Sequence, residues 1–156
     1  MKGIINKMTK DVMISIRGLQ FDNGQDGEKI ESIQKGEYYY RNNTHYVMFD
    51  EIMEGMEEPV KSMIKFKAGE MHLSKKGVIN VTMDFVETQK NLTDYQTPFG
   101  NLVIGVEASK VEFKEEEKRI VLDVDYTLDV NYEHLADCKI RIDIRSKDGE
   151  RFSLRS

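Results

Sequence analysis

Few residues in this sequence are of the types that commonly carry chemistry, and their spacing matches no catalytic signature. The histidines are His45, His72 and His134, and none stands at the His-x-His, His-x-x-His or His-Glu-x-x-His spacing that brings metal ligands together on one element. The single cysteine, Cys138, has no second thiol with which to form a disulfide. We therefore expect no metal site and no cofactor, and we interpret Cys138 as a small buried side chain.

The adjacent carboxylates Asp50 and Glu51 offer the best case for acid–base chemistry. A hydrolase of the paired-carboxylate kind needs two such groups that converge on a cleft, and the sequence shows no convergence. The chain also offers no pairing of a nucleophile with a base. An enzyme that uses His45 or this carboxylate pair therefore ranks last among three hypotheses, and no catalytic residue is predicted.

Aromatic residues are the most informative feature. Tyr38, Tyr39 and Tyr40 are consecutive, so on a strand Tyr38 and Tyr40 share one face while Tyr39 takes the other. Both faces are aromatic, which leaves the inward face undecided. Tyrosines that face a cavity give an apolar wall with polar tips, which suits a small ligand, although the same residues can simply fill a core. The predicted ligand-binding residues are Tyr38, Tyr40, Phe66, Lys75, Phe85, Tyr95, Phe99 and Tyr126, with the lysine orienting an anionic group.

Length and composition limit the classes of protein that these residues can belong to. The 156 residues suit a single domain, for which residues 1–10 and 149–156 are expected to be extensions. Hydrophobic residues make up 39% of the chain and charged residues 33%, with a net charge of -5. An acidic balance argues against nucleic acid as a partner. No segment approaches a membrane span or a signal peptide, so we expect a cytoplasmic protein with no membrane partner.

Apolar and polar residues alternate with a period of two along most of the chain, which predicts strands with one buried and one wet face. We count nine strands, with a tenth if 151–154 pairs. Asp26-Gly27 is predicted to be a turn, and 88–98 a polar connection. The inward parity changes between Gly105 and Lys110, which predicts a β-bulge. Short turns favour an antiparallel up-and-down barrel of about eight to ten strands, and the long strand 120–130 favours this barrel over a two-sheet sandwich.

The order of several motifs resembles a known family. Gly36-x-Tyr-Tyr-Tyr40 precedes Tyr46-Val-Met-Phe-Asp-Glu51, and Leu73-x-Lys-x-Gly77 precedes Tyr95-x-Thr-Pro-Phe-Gly100. From about Asp11 to Ile144 the chain resembles the YwiB-like family of small bacterial proteins of unknown function, which is grouped with lipocalin-like, calycin-type β-barrels. The family often has arginine where Lys75 stands, so a bidentate contact is not expected there. The resemblance implies a barrel with an internal cavity, and it implies no activity.

Two non-enzymatic hypotheses lead. The first is a binding protein that holds a small, partly apolar ligand inside a lipocalin-like barrel. The second is a packed barrel that acts through its outer surface, as a homodimer or with a protein partner. The outer patch for that second role is expected at Met13, Val47, Val103 and Val121, which lie on wet-face parities.

Overall fold

A computed structural model describes the backbone of residues 8–22, 25–52, 55 and 57–147, and the side chains of the same residues except 19–31 and 97. The described residues form ten strands. None of them belongs to a helix that is long and apolar enough to cross a membrane. The strands are β1 (Asp11–Asp22), β2 (Gln25–Arg41), β3 (Thr44–Glu51), β4 (Val60–Lys67), β5 (Glu70–Lys76), β6 (Val81–Val86), β7 (Lys90–Thr97), β8 (Gly100–Glu116), β9 (Arg119–Val130) and β10 (Glu133–Ser146).

The ten strands form one antiparallel sheet that curls into a nearly closed barrel. Each strand except β6 pairs with the next along the chain, and β1 pairs with β10, which leaves a seam between β6 and β7. At the seam, the backbones of Asn80 and Gln96 exchange two hydrogen bonds of 3.0 and 3.1 Å. The Asn91 side-chain amide also donates to the Asp84 carbonyl at 3.1 Å. The predicted antiparallel up-and-down barrel is therefore confirmed. The expected extensions and the 151–154 strand fall largely on residues 1–7 and 148–156, outside the described part.

Successive strands run in opposite directions, so alternate connections lie at opposite ends of the barrel. One end, which we call the open end, carries the β1–β2, β3–β4, β5–β6, β7–β8 and β9–β10 connections. The other, which we call the closed end, carries the remaining four. At the closed end, Asn42 and Asn43 have φ of 54° and 61° and form the tight β2–β3 hairpin turn. Met8 packs against the core, and Ser146 joins Thr9 by a 2.9 Å hydrogen bond.

Two local predictions were wrong. The polar connection predicted over 88–98 contains β7, and the turn predicted at Asp26-Gly27 lies inside β2. In β7 the residues on the inward parity are Asn91, Thr93 and Tyr95, while Leu92 faces outward. This reverses the usual apolar-inward pattern, so period-two alternation does not reveal the strand.

The predicted bulge is confirmed in β8. Its register against β9 shifts between Ala108 and Lys110. The irregular backbone is held by the β6–β7 connection: the Val111 amide donates to a carboxylate oxygen of Glu87 at 2.8 Å, and the Thr88 amide donates to the Ala108 carbonyl at 2.9 Å. The bulge returns Val111 to the inward face, where it is buried.

Gly36 marks the point where β2 separates from β3. Pairing between these strands begins at Glu37, opposite Met48, whereas β1 follows β2 as far as Gln25. A Cβ atom on Gly36 would lie 2.5 Å from Ile14 Cδ1 and 2.7 Å from the Met48 carbonyl oxygen. Both distances are shorter than van der Waals contact, so the separation of the two strands requires glycine.

We predict that Gly36→Ala lowers the free energy of unfolding by about 1–3 kcal/mol, because the added methyl group overpacks the site. Urea unfolding followed by circular dichroism measures the change. Gly18→Ala is the matched control, since a Cβ there meets no atom of the described side chains within 4 Å. Equal midpoints for the two variants would contradict the steric argument.

Candidate functional site

The two halves of the barrel interior are filled differently. Toward the closed end the side chains that the register turns inward are fully buried, as Ile14, Phe66 and Leu122 illustrate. Toward the open end, eight inward-facing side chains are only half-buried: Ile16, Leu73, Met83, Tyr95, Tyr126, Leu128, Val130 and Ile140. The sheet covers these side chains from behind, so their exposed surface faces the interior. From this exposure we infer an interior space that solvent reaches, and we call it the lumen.

The lumen does not fill the whole width of its half. Val81 on β6 and Ile104 and Val106 on β8 also point inward but are buried. These residues flank β7 on both sides of the seam. Val60 on β4 and Cys138 on β10, which lie away from the seam, point inward and are buried as well. The lumen therefore occupies only part of the open half.

A polar cluster lies on the inner wall near the open end. Lys75 of β5 stands opposite Ser62 of β4, and Glu51 stands opposite Val60 at the end of β3. Lys75 Nζ donates to Glu51 Oε1 at 2.7 Å, and Ser62 Oγ donates to the same oxygen at 2.8 Å. The side chains of Lys75 and Glu51 are 25% and 16% exposed. This ion pair therefore borders the lumen and is partly shielded from solvent.

The cluster retains unused hydrogen-bonding capacity. Both contacts of the Glu51 carboxylate fall on Oε1, and Oε2 has no hydrogen-bond partner within the described part of the chain. Among the described residues, Glu51 is the hydrogen-bond partner of the Lys75 ammonium. That ammonium carries three N–H donors. Among the residues that the structure describes, the wall thus presents an acceptor and neighbouring donors that have no partner.

Phe85 and Tyr126 form the base of the lumen. Their rings meet edge to face with centroids 4.9 Å apart, and Phe85 is fully buried. Burial raises the pKa of the Tyr126 phenol, with a smaller contribution from Cys138, so this phenol stays neutral at physiological pH. Burial also raises the pKa of the Cys138 thiol, and the cysteine is buried as the sequence predicts.

The family motif around Tyr95 lies at the rim of the open end. Tyr95 pairs with Leu102 across the β7–β8 hairpin. Gln96, the residue after Tyr95, forms a β-bridge with Asn80, and the residue after Asn80 pairs with Lys75. Tyr95 and the polar cluster therefore lie at the same end of the barrel. Phe99 stands at the tip of the hairpin, 93% exposed.

A separate aromatic cluster surrounds His45 at the closed end. The imidazole is 3% exposed, lies parallel to Phe66 at 4.8 Å and meets the edge of Phe113 at 5.1 Å. Tyr40 covers it at 4.7 Å, and its Nδ1 lies 2.7 Å from the Tyr38 hydroxyl. Burial lowers the pKa of His45 and outweighs the opposing charge of Glu115. The imidazole is therefore neutral at pH 7 and serves as packing.

The structure divides the eight predicted ligand-binding residues between the two ends. Lys75, Tyr95 and Tyr126 border the lumen, Phe85 lies at its base and Phe99 at its rim. Tyr38, Tyr40 and Phe66 belong instead to the His45 cluster at the closed end. The alternation of apolar and polar residues predicts on which face of the sheet a residue lies, but it does not predict at which end of the barrel that residue lies. Four residues at the lumen were not predicted to bind a ligand: Glu51, Ser62, Leu73 and Met83.

The adjacent carboxylates that were weighed for acid–base chemistry lie on opposite sides of the wall. Adjacent residues of a strand face opposite sides, so Asp50 is exposed outside while Glu51 faces the lumen. His45 lies at the other end of the barrel. Among the described residues, no group of three or more histidine, cysteine, aspartate or glutamate side chains is placed to hold a metal ion.

The expected outer patch differs from the observed one. Val47 is fully buried and faces inward, because Tyr46 and Met48 take the outer face of β3. Met13, Val103 and Val121 are half-buried. The outer face instead carries a groove of about 500 Å³. Its lining residues are Tyr39, Tyr40, Arg41, Tyr46 and Met48.

Fold and site together define an antiparallel β-barrel with one packed end and one open end. Residues 14–142 match the family model described as a domain of unknown function, DUF1934. The chain belongs to this family, which confirms the resemblance inferred from its motifs.

Two comparisons agree with this assignment. The chain is 25% identical over 131 residues to the uncharacterised β-barrel protein YwiB of Bacillus subtilis, a match that covers 83% of this chain and 90% of that protein. The crystal structure of YwiB from Bacillus subtilis superposes with a TM-score of 0.75 at 21% identity, over 90% of this chain and 95% of the other. The structural match shows a shared fold.

We predict that His45 makes stability fall as the pH is lowered from 7.5 to 5.5. Its folded-state pKa lies below the ordinary value of about 6.5, so the unfolded chain takes up a proton that the native state does not. The stabilisation is present above pH 6.5 and is lost on acidification, by no more than about 1.4 kcal/mol per pH unit. Thermal denaturation across this range measures it.

His45→Gln, which keeps an acceptor for Tyr38, should flatten this dependence. His134→Gln is the control, because His134 is 58% exposed and bonded to Asp137 on the surface. An unchanged pH profile in His45→Gln would refute the assignment of the effect to His45.

Proposed function

We propose that this protein is a non-enzymatic binding protein that holds a small, partly apolar molecule in the lumen of a lipocalin-like barrel. The observation that carries the proposal is the partial exposure of inward-facing apolar side chains at the open end. Exposed apolar surface inside a barrel is covered favourably by an apolar ligand. A cytoplasmic location is part of the proposal, supported by a lone cysteine without a disulfide.

The shape of the interior supports binding at one end. Among the described residues, the aromatic cluster around His45 packs the closed end, so we expect a ligand to enter through the open end. The walls beyond that entrance combine aliphatic and aromatic surface, from Leu73, Met83 and Tyr126, with one polar cluster at Lys75. Such a combination suits a molecule with an apolar body and a single polar group.

We predict that a tryptophan at Met83 blocks the lumen. The neutral fluorophore 1-aminoanthracene should bind the native protein with enhanced emission, and Met83→Trp should weaken its binding at least tenfold, because the indole occupies the same space. Thr82→Trp is the matched control: it adds the same ring one residue away, on the exposed outer face of β6. Fluorescence titration measures both, and circular dichroism checks that each variant is folded.

Two results would contradict the ligand-binding proposal. One is a wild-type protein that does not enhance the fluorophore at all. The other is equal weakening by Met83→Trp and Thr82→Trp, which would place the fluorophore on the outside. Native mass spectrometry of freshly purified protein adds an independent test, because a stoichiometric extra mass released by organic solvent would identify a natural ligand.

A second candidate function is self-association through the outer face of β2 and β3. The supporting observation is the groove lined by Tyr39, Tyr46 and Met48, where Tyr39 is 37% and Met48 36% exposed. Aromatic and methionine side chains are enriched in protein interfaces. The same native mass spectrum decides this candidate: a dimer that Met48→Lys converts to a monomer would favour it, and a wild-type monomer would exclude it.

A further inference from the structure

The Lys75–Glu51 pair specifies the polar group of the ligand, an inference that rests on the proposed lumen site. We propose that the ligand carries an uncharged group that both donates and accepts hydrogen bonds, of the carboxamide type. The carbonyl oxygen of that group accepts from the Lys75 ammonium, and its N–H donates to Glu51 Oε2. The apolar body lies against Leu73 and Met83.

Charge balance is the first argument. Among the side chains that the structure describes, Lys75 and Glu51 are the charged residues on the inward face of the open half, apart from Glu133. Glu133 lies at the exposed tip of the β9–β10 hairpin. They neutralise one another at 2.7 Å. A ligand carboxylate would place a second negative charge beside Glu51, and a ligand amine a second positive charge beside Lys75. Both arrangements are unfavourable in a partly desolvated space, where charges interact more strongly than in water.

Hydrogen-bond complementarity is the second argument. Ser62 and Lys75 both donate to Glu51 Oε1, which fixes the carboxylate and leaves Oε2 as an acceptor without a partner among the described residues. Lys75 keeps N–H donors beyond the one given to Glu51. A neighbouring donor and acceptor on the protein match a group with one acceptor and one donor side by side, as a primary amide has. A purely accepting or purely donating group leaves one of the two protein groups unpaired, which is costly away from water.

Competition against 1-aminoanthracene tests the inference with three ligands of equal chain length: octanamide, octanoate and octylamine, at pH 7.5. We expect octanamide to bind the wild-type protein at least tenfold more tightly than either charged compound. Glu51→Gln, which leaves Lys75 unbalanced, should shift the preference to octanoate. Lys75→Met, which leaves Glu51 unbalanced, should shift it to octylamine.

The matched controls remove the same charges one residue away. Asp50→Asn and Lys76→Gln lie on the exposed outer face of β3 and β5 and should keep the wild-type order. If the wild-type protein binds the fluorophore but ranks a charged compound first, or the three equally, the inference is wrong while the lumen site stands. If it binds neither the fluorophore nor any of the three, the proposed function fails, and the inference fails with it.

Discussion

The width of a ring of ten strands is the constraint on which this structure depends. The diameter of a β-barrel grows with strand number, and about eight strands give an interior that side chains can just fill. A barrel of ten strands is wider than one of eight, so more side-chain volume is needed to fill it. The chain fills the closed end with stacked rings, where His45 lies between Phe66, Phe113 and Tyr40. No comparable stack is present among the described residues of the open end, and the lumen is the consequence.

The wall shows how the sequence adapts to an interior that is half filled. Strands that line the packed half have buried aliphatic residues on the inward parity, as in β9 with Ile120 and Leu122. β7 borders the open half and places Asn91 and Thr93 inward, where both side chains are half-buried. The ion pair between Lys75 and Glu51 is tolerated on the inner wall for the same reason, because each charge keeps a hydrogen-bonded partner and some contact with solvent. The polar residues that complicate the strand pattern are thus the residues that mark the lumen.

Much of the fold could be predicted from alternation alone. The barrel, most of its strands and the β8 bulge follow from the parity of aliphatic residues, which are strongly sorted between core and solvent. β7 could not be found in this way, because its inward side chains are polar. The inward faces of β2 and β3 were also ambiguous: Tyr38 and Tyr39, like Val47 and Met48, offer a hydrophobic residue on either parity. Once β3 is placed with Val47 inward, Glu51 falls on the lumen side and Asp50 outside. The predicted ligand-binding residues are separated between the two ends of the barrel because of how the strands pair around the whole ring. The local pattern of apolar and polar residues contains no information on that pairing.

Cysteine accessibility tests the central claim, that one half of the barrel is hollow and the other packed. In a Cys138→Ala background, single cysteines would replace Leu73 and Met83 at the lumen, and Ile64, a fully buried inward-facing residue that pairs with Leu73 across β4 and β5. The rate of modification by a small, water-soluble thiol reagent is then measured for each native protein. We expect the cysteines at Leu73 and Met83 to react in the folded state and the cysteine at Ile64 to react only on unfolding. Equal protection at all three positions would show a barrel packed throughout and would contradict the account.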